Sequence, residues 1–223
     1  NLEMTLNPHL LKKEKSARIK EMLNLFGLQQ LKNKLPTELS GGQQQRLALA
    51  VALIELPKLL LLDEPFAHFD PQLKSKIFEY LSIKIQTEQI TVVTVTHDYR
   101  ETLKHADKVL ILEKGKKVQF ASVHDCYYKP KNLYCAGLLS EFNAYKFQGK
   151  QFLLRPEELQ TDSKGKIGVQ VTDVAFSGHF TELLVSNTEN EHLLMYVPNG
   201  MKYQIGDSLK VSVENLSRVI NEK

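Results

Sequence analysis

Four consecutive leucines, Leu59 to Leu62, run directly into two carboxylates, Asp63 and Glu64. An unbroken apolar run of that kind predicts a central strand of a parallel sheet, covered on both faces. Carboxylates at the C-terminal end of such a strand stand where open α/β sheets usually bind ligands. Side by side they point different ways, so one can hold Mg²⁺ while the other polarises an attacking water. The plainer alternative is a solvated turn before Pro65. The leucines weigh against it, because unpaired charge buried beside them is costly.

Upstream, Ser40 is a good helix N-cap, and Gly41 and Gly42 follow with no side chains in the way. Free first-turn amides, the helix dipole and bare backbone together suit a phosphate. Read alone, Ser-Gly-Gly is more often an ordinary capped helix, since it is common in loops. The spacing predicts a helix from Gly41 to about Glu55, stopped by Pro57. Asp70 and Pro71 open another helix, expected to reach Lys84 with Leu73, Ile77, Phe78, Leu81 and Ile85 near the core. The β-branched run Ile90 to Val95 reads as a second buried strand, closed by Thr96, His97 and Asp98. A lone histidine is more often structural, but this one follows a core strand just as Asp63 and Glu64 do.

Taken together, LSGGQQQR at 39–46, LLLLDEP at 59–65 and THD at 96–98 resemble the nucleotide-binding subunit of an ABC transporter. The resemblance implies a signature motif at Leu39 to Arg46 and a Walker B strand ending in the catalytic Glu64. It further implies a D-loop aspartate at Asp70 and a switch histidine at His97. Ser40, Gly41, Gly42 and Gln43 would then contact ATP held by a second subunit, Asp63 would hold Mg²⁺, and Glu64 and His97 would be catalytic. The family's common D-loop form is Ser-Ala-Leu-Asp, whereas this chain has Ala67-His68-Phe69-Asp70; Val51 stands where an arginine is often found.

Residues 1–9 read as irregular, 11–26 as an amphipathic helix stopped at Gly27, and 28–34 as a short second helix broken by Pro36. This region, about 8–40, resembles the family's helical subdomain. Val109 to Leu112 and Lys117 to Phe120 read as a hairpin around Lys114-Gly115. Ser122 and Asp125 form a capping pattern ahead of Pro130. From Tyr145 onward short strands alternate with glycine turns, at 152–154, 167–175, 181–186, 192–197 and 208–213. FLLRPEEL at 152–159 and GDSLKVSV at 206–213 resemble a TOBE domain, an OB-like barrel found after the ATPase in importers.

The expected fold class is therefore α/β, the C-terminal part of a P-loop ABC ATPase domain followed by a small all-β OB-like barrel. The expected boundary lies between 143 and 144. The net charge of +3, with mixed signs, gives no argument for nucleic acid as a partner. Cys126 and Cys135 fit no metal spacing and no disulfide framework. No apolar stretch is long enough to cross a bilayer. The chain holds no G-x-x-x-x-G-K-[ST] motif and starts at Asn1, so it reads as the back part of a longer protein, inactive by itself, with a degenerate relative as the alternative.

By resemblance the whole protein is expected to be an ATPase using ATP and Mg²⁺, on the cytoplasmic face of the cell membrane. It would pair with a second ATPase subunit in a homodimer, with permease subunits, and indirectly with an external solute-binding protein. Ferric iron or a polyamine is expected before a sugar as solute. The competing readings are a non-catalytic regulatory or binding module and a soluble ABC ATPase not coupled to transport.

Overall fold

The computed structural model describes residues 1–67, 69–147 and 150–213. The chain divides into two compact units, Asn1–His97 and Asp98–Lys223.

The first unit opens with a one-turn helix, α1 (Leu2–Thr5), where the sequence suggested irregular chain. Leu2 and Leu6 are buried and explain the difference, because they anchor this turn in the core. Helix α2 (Lys12–Leu25) follows and ends at Phe26. Gly27 takes a positive φ of 65° there, and the Leu28 amide donates back to the Leu23 carbonyl. This is the left-handed exit that glycine permits. The expected helix over 28–34 is only a 3-10 turn at Gln29–Leu31, followed by another at Pro36–Glu38. Eight residues lie between Gly27 and Pro36, and Pro36 holds Leu35 in extended backbone, which takes the end of that segment out of any helix.

Helix α3 (Gly41–Ile54) matches its predicted bounds closely, and strand β1 (Leu59–Asp63) follows it. Helix α4 (Pro71–Glu88) runs a turn longer than predicted, because nothing before Gln89, at φ 55°, ends it. Leu73, Ile77 and Leu81 are buried as expected, but Ile85 is exposed. Strand β2 (Thr91–Val95) pairs with β1 in parallel, with Leu59 opposite Thr91 and Asp63 opposite Val95.

The parallel pairing is as expected, but coverage on both faces is not found among the described residues. Leu60 and Leu62 enter the core with Leu53, Phe66 and Ile77. Leu59, Leu61, Val93 and Val95 remain exposed, Leu61 at 68%. Alternation along a strand divides these residues between two faces. Asp63 shares the exposed face with Leu59 and Leu61.

The second unit begins with α5 (Tyr99–His105), capped by the Asp98 carboxylate. The hairpin β3 (Lys108–Glu113) and β4 (Lys116–Ser122) turns at Lys114-Gly115 as predicted. Helices α6 (Val123–Tyr128) and α7 (Leu133–Leu139) come next, α6 capped by Ser122 and α7 by Asn132. Ile111, Cys126, Cys135 and Leu139 form a small core of their own.

Among the described residues, seven strands follow. They are β5 (Asn143–Phe147), β6 (Lys150–Leu154), β7 (Leu159–Thr161), β8 (Ile167–Phe176), β9 (Phe180–Asn187), β10 (His192–Pro198) and β11 (Ser208–Val213). Five of them form an antiparallel sheet in the order β10-β9-β8-β11-β7, while β5 and β6 pair separately. Edge strands β7 and β10 return to each other, so the sheet nearly closes into a TOBE-like barrel. Leu183, Val185, Leu193, Met195 and Val211 fill its interior. Gly165 is required by close packing, since a Cβ there would lie 2.6 Å from the Val211 backbone.

Two ties organise this unit. The Asn143 side chain accepts from the Leu194 amide at 2.7 Å and donates to the Leu194 carbonyl at 2.8 Å. Arg155 is fully buried, and its guanidinium donates to the carbonyls of Ala136, Ser140, Glu141 and Tyr127. It thereby joins helices α6 and α7 to the start of the barrel.

Candidate functional site

Ser40 caps α3 as its sequence predicts. The Gln43 amide donates to the Ser40 hydroxyl at 3.4 Å, and the Ser40 amide donates to the Gln43 side-chain oxygen at 3.1 Å. This reciprocal capping box gives Gln43 a role inside the chain. The first intrahelical bond runs from the Gln44 amide to the Ser40 carbonyl, so the Gly41 and Gly42 amides lie ahead of it. A Cβ at either glycine would meet nothing within 4 Å. Neither glycine has a positive φ. Packing within the chain therefore does not demand glycine at 41 or 42. What the two residues provide is uncovered backbone at the positive end of a 14-residue helix.

At the far end of β1 the backbone changes hand. Glu64 has φ of 44°, a left-handed conformation that L-residues other than Asn and Asp seldom adopt. Its amide donates to the Val95 carbonyl at 2.9 Å, which extends the β1–β2 pairing by one residue. The turn aims the carboxylate at the next strand's exit, where the Glu64 Oε1 lies 2.8 Å from His97 Nδ1. A carboxylate only accepts, so Nδ1 carries the proton in this pair. The pair is open to solvent, with the His97 side chain 82% and the Glu64 side chain 38% exposed. Strained backbone of this kind concentrates at functional sites.

Asp63 lies on the open face of β1 and directly precedes Glu64. The described residues contain no cluster of three or more groups able to hold a metal ion. Mg²⁺ takes one or two carboxylates together with waters and substrate phosphates, and Asp63 is a carboxylate on the exposed face of β1. Asp70 caps α4, accepting from the Leu73 amide at 2.9 Å. That bond holds the Asp70 carboxyl below its ordinary range, with the positive charge of Arg46 acting in the same direction. Arg46 approaches Asp70 at 4.0 Å. His68, the bulky D-loop departure, lies outside the described residues.

Sequence reasoning missed Gln45. Its Nε2 donates to the carbonyls of Glu64 and Pro65, both at 3.2 Å. The amide orientation follows from the partners, since both are acceptors. The structure thus joins Glu64 to His97, and α3 to Glu64 through Gln45. The only advance signal was a third polar residue in the first turns of α3, and nothing local named a partner 19 residues away.

A family model described as ABC transporter matches residues 1–67. Among curated proteins, the "Spermidine/putrescine import ATP-binding protein PotA" of Bacillus thuringiensis is 31% identical over 215 residues, covering 92% of this chain and 66% of the relative. Its namesake from Clostridium novyi is 30% identical over 243 residues, covering 96% of this chain and 69% of the relative. The Nostoc protein of the same name is 35% identical over 160 residues, covering 72% and 42%. The chain thus spans just under two thirds of the Bacillus relative's length.

Proposed function

This chain belongs to the ABC-transporter ATP-binding family, and on that premise we propose that it carries half of an ATP-hydrolysing interface of an import system. The observation that carries the proposal is the Glu64–His97 pair at 2.8 Å, built on a left-handed residue at the end of β1. Glu64 orients or deprotonates the attacking water. His97, held by its Nδ1 proton, presents the rest of its ring to charge developing on the transferred phosphoryl group. Ser40, Gly41 and Gly42 offer uncovered backbone to the γ-phosphate of ATP bound by a second subunit. Asp63 would hold Mg²⁺, which when bound would supply charge neutralisation at the phosphates. Asp70 links the two interfaces.

The ATPase part is proposed to end near residue 143 with the helical portion at about 8–40, and the barrel follows. No helix among the described residues is long and apolar enough to cross a membrane. Permease subunits are proposed to hold the protein at the cytoplasmic face of the membrane. A second ATPase subunit and an external solute-binding protein complete the assembly. The relatives are named for spermidine and putrescine import, so a polyamine is the proposed solute, ahead of ferric iron.

Replacing Glu64 by Gln tests this reading. In the intact protein with Mg²⁺-ATP the variant is expected to accumulate as an ATP-bound dimer, measured by light scattering, with turnover lowered on the order of 100-fold or more. Normal turnover in that variant rejects the assignment.

A further inference from the structure

We propose that Gln45 is a positioning residue, the link through which helix α3 sets the Glu64 carboxylate of its own chain. The proposal rests on the reading of Glu64 as the water-orienting group.

The left-handed backbone at Glu64 is held on both sides. Its amide is fixed by the Val95 carbonyl at 2.9 Å. Its carbonyl accepts from Gln45 Nε2 at 3.2 Å and, less closely, from the Ala67 amide at 3.4 Å. The same Gln45 nitrogen donates to the next carbonyl, that of Pro65, at 3.2 Å. One side-chain amide therefore spans the peptide that follows the strained residue. His97 meets the Glu64 carboxylate, whereas Gln45 holds the backbone carbonyls of the turn. Without it, the peptide after Glu64 can relax towards the right-handed region that most residues prefer. The carboxylate then turns away from His97 Nδ1.

The position of Gln45 gives this tie a direction. It lies on the second turn of the helix whose first turn presents Ser40, Gly41 and Gly42. A helix this short moves as a rigid rod, so a shift of its capped end is carried to the Glu64 carbonyl. The following residue strengthens the connection. Arg46 approaches the Asp70 carboxylate at 4.0 Å, and its guanidinium carbon lies 6.0 Å from the centroid of the Phe69 ring. Consecutive residues of α3 thus hold both ends of the segment from Glu64 to Asp70. Whatever anion engages the start of α3 is thereby connected to the carboxylate that serves the chain's own nucleotide.

Two variants and two readouts test the proposal. Gln45→Met keeps the side-chain length but has no donor, and Gln45→Ala removes the side chain. In the intact protein without nucleotide, both are expected to speed amide hydrogen exchange at Glu64 and Ala67 on the order of tenfold, while α2 keeps its rates. In turnover both are expected to lower kcat about tenfold or more, leaving KM for ATP within about twofold. The same substitutions placed in a Glu64→Gln background are expected to cost nothing further, because their effect passes through Glu64. Unchanged exchange at Glu64 in Gln45→Met overturns the proposal, as does an equal loss of kcat in both backgrounds. Full turnover by Glu64→Gln alone rejects the role given to Glu64 instead, and the exchange result then still decides whether Gln45 holds the peptide.

Discussion

The guanidinium carbon of Arg155 lies 4.2 Å from the centroid of the Tyr127 ring, and the same guanidinium donates to the Tyr127 carbonyl at 3.1 Å. Helix α6 therefore holds this cation through both its ring and its backbone. Burial pushes the Tyr127 phenol well above its ordinary range, with its bond to Glu157 acting in the same direction. The ring beside Arg155 consequently stays neutral at any ordinary pH.

Arg155→Ala is expected to destabilise the second unit by about 3 kcal/mol or more, because several carbonyls lose their donor in a buried setting at about 1–3 kcal/mol each. Arg155→Lys is expected to recover only part of that loss, because one ammonium cannot reproduce a planar fork aimed at four carbonyls. Denaturant unfolding followed by circular dichroism measures both, and full recovery by lysine contradicts the account.

Gly42→Asp separates fold from function. A side chain at this position meets nothing within 4 Å, and an acid in the first turn suits the helix dipole. Stability is expected to stay within about 0.5 kcal/mol of the parent. Nucleotide-driven dimerisation of the intact protein is expected to be lost, because the carboxylate occupies and repels the phosphate's approach. Light scattering with and without Mg²⁺-ATP reads the outcome, and preserved association rejects the clamp at Ser40 to Gly42.

Asp70 gives a signed pH effect. Its folded-state pKa is lowered, first by the Leu73 amide. Its stabilising contribution is therefore present above the unfolded value, about 3.9, and is lost as pH falls through the folded value. Asn caps a helix as well as Asp and does not titrate. Thermal melts of Asp70→Asn are expected to decline less steeply than those of the parent below about pH 4. Parallel declines exclude Asp70 as a source of acid sensitivity.

Local chemistry was readable in the chain. The caps at Ser40, Asp70 and Ser122 need only a side chain and an amide two or three residues ahead, and all were found. The hairpin at Lys114-Gly115 and the later glycine-punctuated strands were readable for the same reason. Features that depend on distant partners were not. The open face of β1 cannot be inferred from four leucines, because hydrophobicity records suitability for burial and not whether a cover is present. The burial of Arg155 depends on carbonyl partners up to 28 residues back, which no local pattern names. Strand β5 was missed because its polar, mixed sequence becomes a strand only by pairing with β6. At the site, Glu64 and His97 could be named in advance, but the handedness of the Glu64 backbone and its hold by Gln45 required the folded chain.

The Asn143 amide bonded to both backbone groups of Leu194 has an effect beyond the barrel's own stability. An uncovered β-edge recruits extended peptides, including neighbouring copies, into sheet growth. Here the Asn143 side chain occupies both backbone groups of one rung of β10, so an extended chain arriving at that rung must first displace it.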